Sequence, residues 1–184
     1  MHSGTNTSSG RTAEPIRIAV ADDHPILRDG LRKLLSLECD FEVVAEARDG
    51  SEVADVLARV EPDVLLLDLN MPRRDGMAAL SAISRGRLKT KVIILTASED
   101  PDQHVHALKH GASGIVLKQS TTKLLAESIR KVCWGGIWLD AKGTASLMKH
   151  FSSSTSDPAE RPKSRKLSSR EEEVVELVAQ GFKN

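Results

Sequence analysis

The sequence predicts an α/β fold, a doubly wound parallel sheet of five strands. Three observations carry that prediction. Five short aliphatic or β-branched runs, IRIAVA, FEVVAEA, VLLLD, KVIIL and GIVL, recur along the first 117 residues. Such runs bounded by turn residues read as strands buried on both faces, as in a parallel sheet covered by helices. Each is followed by a stretch of helical apolar spacing, so strand and helix alternate five times, and right-handed crossovers follow. Several of the runs end directly on polar or charged residues.

The first strand, Ile16 to Ala21, follows Pro15 and ends on Asp22 and Asp23. Pro25 suits the first turn of a helix, in which Leu27, Leu31, Leu34 and Leu35 share a face. The second strand runs from Phe41 to Ala47, and Asp49 with Gly50 turns the chain into a helix carrying Val53, Val56, Leu57 and Val60 up to Pro62. In the third unit, Val64 to Leu67 lead into Asp68 and a polar turn with Asn70, Met71, Pro72, Asp75 and Gly76; Met77, Leu80 and Ile83 mark the helix beyond. The fourth strand, Lys91 to Leu95, delivers Thr96, Ala97 and Ser98, with Asp100 as cap and Pro101 as first residue of the next helix. His110 and Gly111 close it. Gly114 to Leu117 is the fifth strand, with Lys118 at its end, and Leu124, Leu125, Ile129, Val132 and Cys133 give the apolar side of a last helix.

After Cys133 the character changes. Gly135 and Gly136 break the helix, Ala141 to Phe151 suit one further helix, and Ser152 to Lys166 read as a flexible linker. Leu167 to Gly181 start again as a capped amphipathic helix with Val174, Val175, Leu177 and Val178 on its apolar face. The expected organisation is therefore a disordered extension over 1–15, one α/β domain over 16–134, a linker with a helix over 135–166, and the start of a second unit over 167–184.

Composition narrows the function classes. The 184 residues carry 26 lysines plus arginines and 26 aspartates plus glutamates, so no overall charge attracts nucleic acid or an anionic membrane. Arg161, Lys163, Arg165 and Lys166 are read as a solvated linker. The two cysteines, Cys39 and Cys133, have no metal-ligand spacing and are read as small core residues of a reduced, cytoplasmic protein. The polar start has no signal-peptide pattern, and no apolar run is long enough to span a bilayer, so no membrane partner is expected. His106 and His110 have helical metal spacing but no third ligand in sight; with His104 they are read as surface histidines on a partner-facing helix.

The polar residues at the strand ends matter most. Asp22, Asp23, Asp68, Asn70, Thr96, Ser98 and Lys118 would gather at one sheet edge, where open α/β sheets bind ligands. Taken singly, each has an ordinary explanation as a cap, a solvated lysine or a β-position threonine. Their joint placement is harder to dismiss. Crowded carboxylates call for a cation, and Mg²⁺ prefers such oxygen ligands plus waters and phosphates. A lysine and a hydroxyl opposite would complete a phosphate-sized pocket suited to moving a phosphoryl group onto a carboxylate.

The segments ADDHP at 21–25, LLLDLNMPRRDG at 65–76, TA at 96–97 and GASGIVLK ending at Lys118 resemble the receiver domain of two-component response regulators. The resemblance covers about Ile16 to Cys133. It implies the flavodoxin-like strand order 2-1-3-4-5, with Asp68 as phospho-acceptor. Mg²⁺ would be held by Asp22, Asp23, Asp68 and the backbone carbonyl of Asn70. Thr96 and Ala97 would meet the phosphoryl group, Thr96 moving on activation, and Lys118 would neutralise its charge. Ser98 and Asn70 flank the implied path of attacking water and would tune the lifetime. One departure stands out: the aromatic expected three positions before the lysine is replaced by Ile115.

The later part, WGGIWLDAKGTASLMKHF and LSSREEEVVELVAQGFKN, is similar to the junction and output start of the NarL/FixJ subfamily, whose LuxR-type helix-turn-helix binds DNA. Only the first helix of that module is expected within the sequence; the recognition helix is absent from it. The resemblance thus implies a sensor histidine kinase as partner, a homodimer on activation, and DNA as partner of the full-length protein. Beyond autophosphorylation and its own dephosphorylation, no enzyme activity is expected. Two other readings remain beside it: a receiver without output that competes for a kinase, and a haloacid-dehalogenase phosphatase. The latter wants a second aspartate where Asn70 stands.

Overall fold

The computed structural model describes residues 14–71, 76–85 and 89–139. The expected helix over 141–151, the linker and the unit beginning at Leu167 lie outside the described residues, as do the first thirteen residues and the turn residues Pro72 to Asp75.

Ten elements alternate: β1 (Ile16–Ala21), α1 (Pro25–Leu35), β2 (Phe41–Ala47), α2 (Val53–Val60), β3 (Val64–Asp68), α3 (Gly76–Arg85), β4 (Lys91–Thr96), α4 (Pro101–Lys109), β5 (Gly114–Leu117) and α5 (Thr122–Cys133). The sheet has the order β2-β1-β3-β4-β5, and all four pairings are parallel. β3 is central: Leu66 lies beside Val20 of β1 and Ile93 of β4. All five of its residues are buried, which explains why its sequence is an unbroken apolar run rather than an alternating one.

Alternate residues of each strand feed opposite layers. Leu65, Leu67 and Ile94 meet Leu57 of α2, Leu80 of α3 and Leu108 of α4. Val20, Leu66 and Ile93 meet Leu31 and Leu35 of α1 and Ile129 and Val132 of α5. The chain leaves β1 towards β2 on one side and reaches β3 on the other, so the order reverses between β1 and β3. The carboxyl ends of these two strands open onto that crevice.

The local signals act as expected. Pro25 and Pro101 occupy the first turns of α1 and α4, and the Asp100 side chain accepts from Asp102 N at 3.0 Å. Gly111 follows α4 with φ +106°, a left-handed conformation that glycine adopts without a Cβ penalty.

Five side chains and one boundary depart from the sequence reading. β4 runs one residue further, so Thr96 belongs to the strand and is buried. Leu34 and Leu124, placed on apolar helix faces, are 39% and 43% exposed, because the helical stripe is wider than the surface each helix covers. Cys39 is exposed and Cys133 half-buried, so neither is a full core residue. Burial and the charge of Asp63 raise the Cys133 thiol's pKa. His104 is buried rather than on the surface, its Nε2 being 2.9 Å from Ser98 O; His106 faces solvent and stacks on His110 at 4.1 Å between ring centroids.

Beyond α5 the chain turns at Gly135 and comes back to the sheet. Trp138 N donates to Ser113 O and Ile115 N donates to Trp138 O, both at 3.0 Å, so the chain at Trp138 runs parallel to the outer edge of β5. Ile137 is buried and Leu139 packs on the α2–α3–α4 layer. An otherwise open sheet edge is covered in this way.

Candidate functional site

The crevice beyond β1 and β3 gathers the strand-end residues. Asp22 and Asp68 are fully buried, whereas the Asp23 side chain keeps 27% exposure. Asp68 terminates β3, and the backbone N–H of Asn70 donates to its Oδ1 at 3.0 Å. Its other oxygen, Oδ2, lies 2.8 Å from Lys118 Nζ, which also stands 2.8 Å from Asp22 Oδ2. One ammonium therefore bridges the ends of β1 and β3 from beyond β5. Desolvation pulls the Lys118 pKa down, but the two close carboxylates of Asp22 and Asp68 together outweigh it, and the net direction is upward. The lysine stays charged.

The remaining charge balance is negative: three carboxylates face one ammonium. Asp22 Oδ2 and Asp23 Oδ1 are buried without a hydrogen bond of acceptable geometry; Lys118 Nζ lies 2.8 Å from the first as an ion pair and His24 Nδ1 lies 2.8 Å from the second. Buried carboxylate oxygens left in that condition are costly unless a cation completes them. Ligand atoms from Asp22, Asp23, His24 and Asp68 all lie within 4.8 Å of one another. An oxygen-rich set of this size suits a hard divalent cation.

Thr96 stands at the end of β4, buried, with Oγ1 accepting from Ser98 N at 3.0 Å. Its backbone oxygen accepts from Lys118 N at 2.8 Å, which ties the ends of β4 and β5 together. Ala97 is exposed at the mouth, and Ile115 is buried on β5. The side chain of Asn70 is turned outward.

Two residues were missed in the sequence. Arg28 is buried on α1, where Nη1 donates to Asp22 O at 2.6 Å and Nε lies 3.4 Å from Glu46 Oε2 on β2. It clamps the turn that carries both aspartates. The signal was present: Arg28 falls on the same helical face as Leu31 and Leu35, and a charge on a buried face requires a partner. His24 was read only as part of a motif, yet its Nδ1 sits 3.0 Å from Asp22 Oδ1 and 2.8 Å from Asp23 Oδ1. Beside the site, an apolar groove of about 560 Å³ runs between α1 and α5, lined by Ile26, Leu31, Leu34, Leu117 and Leu125 among others. This accounts for the exposure of Leu34.

Comparison with known proteins agrees with this geometry. Residues 18–130 match the response regulator receiver domain family. The oxygen regulatory protein NreC of Staphylococcus epidermidis is 39% identical over 178 residues, spanning 92% of this chain and 79% of NreC. The receiver domain of the response regulator NarL from Mycobacterium tuberculosis superposes with a TM-score of 0.65 at 36% identity, covering 67% of this chain and 99% of that one. The receiver domain of RcsB from Salmonella enterica, solved with the phosphomimetic BeF3⁻, gives 0.66 at 28% identity over 72% of this chain and 99% of its own. With the family matched over most of its α/β domain, the chain belongs to the response regulator receiver family and is a regulator of the NreC/NarL kind, whose members are phosphorylated by histidine kinases and regulate transcription.

Proposed function

We propose that Asp68 is the phospho-acceptor of this regulator. The observation that carries the reading is the buried Asp68 carboxylate, held at Oδ1 by Asn70 N and faced at Oδ2 by Lys118 Nζ at 2.8 Å. A carboxylate oxygen attacks the phosphorus of a phosphohistidine, the P–N bond breaks, and the imidazole leaves with its electron pair; an acyl phosphate remains on Asp68. Phosphoryl transfer needs mainly positioning and charge neutralisation, which the site supplies. Lys118 is placed to follow the developing charge from the carboxylate to the phosphoryl oxygens. Asp22, Asp23, Asp68 and the Asn70 carbonyl would hold Mg²⁺, which when bound supplies further neutralisation of phosphoryl oxygens.

Thr96 transmits the event. Its hydroxyl, now accepting from Ser98 N, turns to donate to a phosphoryl oxygen, and Ile115 repacks in place of the usual aromatic. The surface of α4 and α5 shifts in consequence, favouring a homodimer and, in the full-length protein, a DNA-binding output. The RcsB receiver studied with a phosphomimetic supports an acyl-phosphate state. Autophosphorylation from small donors, slow self-dephosphorylation and a cytoplasmic setting belong to the same reading; among the described residues no helix is long and apolar enough to cross a membrane.

The test is labelling by a small phosphodonor with Mg²⁺, read by intact mass. Asp68→Asn should abolish it. Undiminished labelling of that variant would overturn the assignment.

A further inference from the structure

We propose that His24 is a nitrogen ligand of the divalent cation, so that this site prefers a first-row transition metal such as Mn²⁺ or Co²⁺ over Mg²⁺ more strongly than an all-oxygen set would. The inference rests on the acidic site proposed above.

His24 is the N-cap of α1, a position where a side chain ordinarily accepts from the first free backbone N–H groups. It makes no such bond. Pro25, next in the chain, has no N–H to satisfy, which lessens the need for one. The imidazole is turned the other way: Nδ1 lies 3.0 Å from Asp22 Oδ1 and 2.8 Å from Asp23 Oδ1. One nitrogen thus converges with oxygens of two carboxylates. A single Nδ1–H cannot point straight at both; Asp22 Oδ1 also accepts from His24 N at 2.8 Å, so Asp23 Oδ1 is the oxygen left without an aligned donor, and a cation placed beside it and Nδ1 would complete it.

The rest of the cluster meets the same requirement. Asp23 Oδ1 is buried without an aligned donor although His24 Nδ1 is its close neighbour, and Asp22 is fully buried. Asp68 completes the set of ligand atoms within 4.8 Å. Coordination through Nδ1 puts the imidazole proton on Nε2. With 65% of the His24 side chain exposed, that N–H can be solvated, so ligation requires no buried partner for it.

The chemical consequence is selectivity. Carboxylate, carbonyl and water ligands suit Mg²⁺, whereas imidazole strengthens binding of later divalent metals. Removing His24 should therefore weaken a transition metal and leave Mg²⁺ nearly unaffected, since Mg²⁺ would exchange the nitrogen for water.

Mn²⁺ serves as the probe, added to tag-free protein and followed by pulsed electron paramagnetic resonance. A nitrogen-14 modulation on bound Mn²⁺ is expected in the wild type and should vanish in His24→Ala. Titration calorimetry should show Mn²⁺ and Co²⁺ affinity falling about tenfold or more in that variant, since even outer-shell partners of a metal cost that much when lost. Mg²⁺ affinity should change less than about threefold. Mn²⁺ bound without nitrogen modulation, or modulation that persists in His24→Ala, overturns the His24 assignment and leaves the acidic site standing. Absence of any Mn²⁺ or Mg²⁺ binding by the wild type, or binding unchanged by Asp23→Ala, overturns the underlying metal-site reading instead.

Discussion

Lys118 Nζ lies 2.8 Å from Asp68 Oδ2, joining the ends of β5 and β3, which are separated in the sheet by β4. The ammonium neutralises a buried carboxylate and, on the function proposed above, would meet the phosphoryl group once that carboxylate had reacted. Lys118→Ala should lower the rate of Asp68 labelling by about 100-fold, the scale of losing one preorganised electrostatic contact to a transition state. Divalent-cation affinity should hold or rise, since a competing positive charge leaves Asp22 and Asp68. Labelling at the wild-type rate would remove Lys118 from the mechanism.

Gly76 approaches the same loop from the other side. A Cβ at this position would collide with the Asp68 carbonyl oxygen and come within 2.7 Å of Leu69 Cα. Both obstacles are backbone and cannot swing aside. Gly76→Ala should cost about 1–3 kcal/mol of stability and, by displacing the end of β3, slow labelling as well. Equilibrium denaturation together with a labelling time course checks both, and an unchanged denaturation midpoint would contradict the contact.

Leu66 lies at the centre of the sheet, fully buried between Val20 and Ile93. Replacing it with alanine should destabilise the domain by about 2–5 kcal/mol through lost burial and a residual cavity. A loss well under 1 kcal/mol in urea unfolding would mean that the core collapses around the missing side chain.

Arg130 of α5 holds the loop before β2, with Nη2 at 2.7 Å from both Asp40 Oδ1 and Glu38 Oε2, and its guanidinium over the Phe41 ring at 4.7 Å. The hydrogen bond from Arg130 lowers the Asp40 pKa below its ordinary value of 3.8, against a smaller opposing effect of burial. A depressed folded-state pKa contributes stability that is present above 3.8 and is lost as pH falls through the lowered value. These groups are largely solvated, so Arg130→Ala should cost only about 1 kcal/mol or less near neutrality, and less in high salt. The stability curves of the two proteins should draw together as pH falls from 3.8 and converge only below the lowered Asp40 value. A gap that persists there would assign the effect to the packing of Arg130 on Phe41 rather than to charge.

The fold was legible in the sequence because its signals are local. The bounds of β1, β2 and β5 match their apolar runs, and Pro25, Pro62, Pro101 and Gly111 mark helix ends through backbone geometry alone. A sheet buried on both faces announces itself by continuous apolar strands, of which β3 is the clearest. The polar residues after those strands were visible too, since no core position calls for an aspartate or a lysine there.

What the sequence by itself determined, then, was the alternation of elements and the inventory of strand-end groups. Which of those groups meet was decided by the tertiary structure. Asp22, Asp68 and Lys118 converge because β1 and β3 are neighbours and the Lys118 side chain reaches across the end of β4. The burial of Arg28 against Glu46 of β2 and the return of Trp138 to β5 depend on surfaces contributed by distant segments, whereas His24 turns to its chain neighbours Asp22 and Asp23. Helical periodicity places a side chain on a face; only packing decides whether that face is covered, which is why Leu34 and Leu124 remain open to solvent while His104 does not.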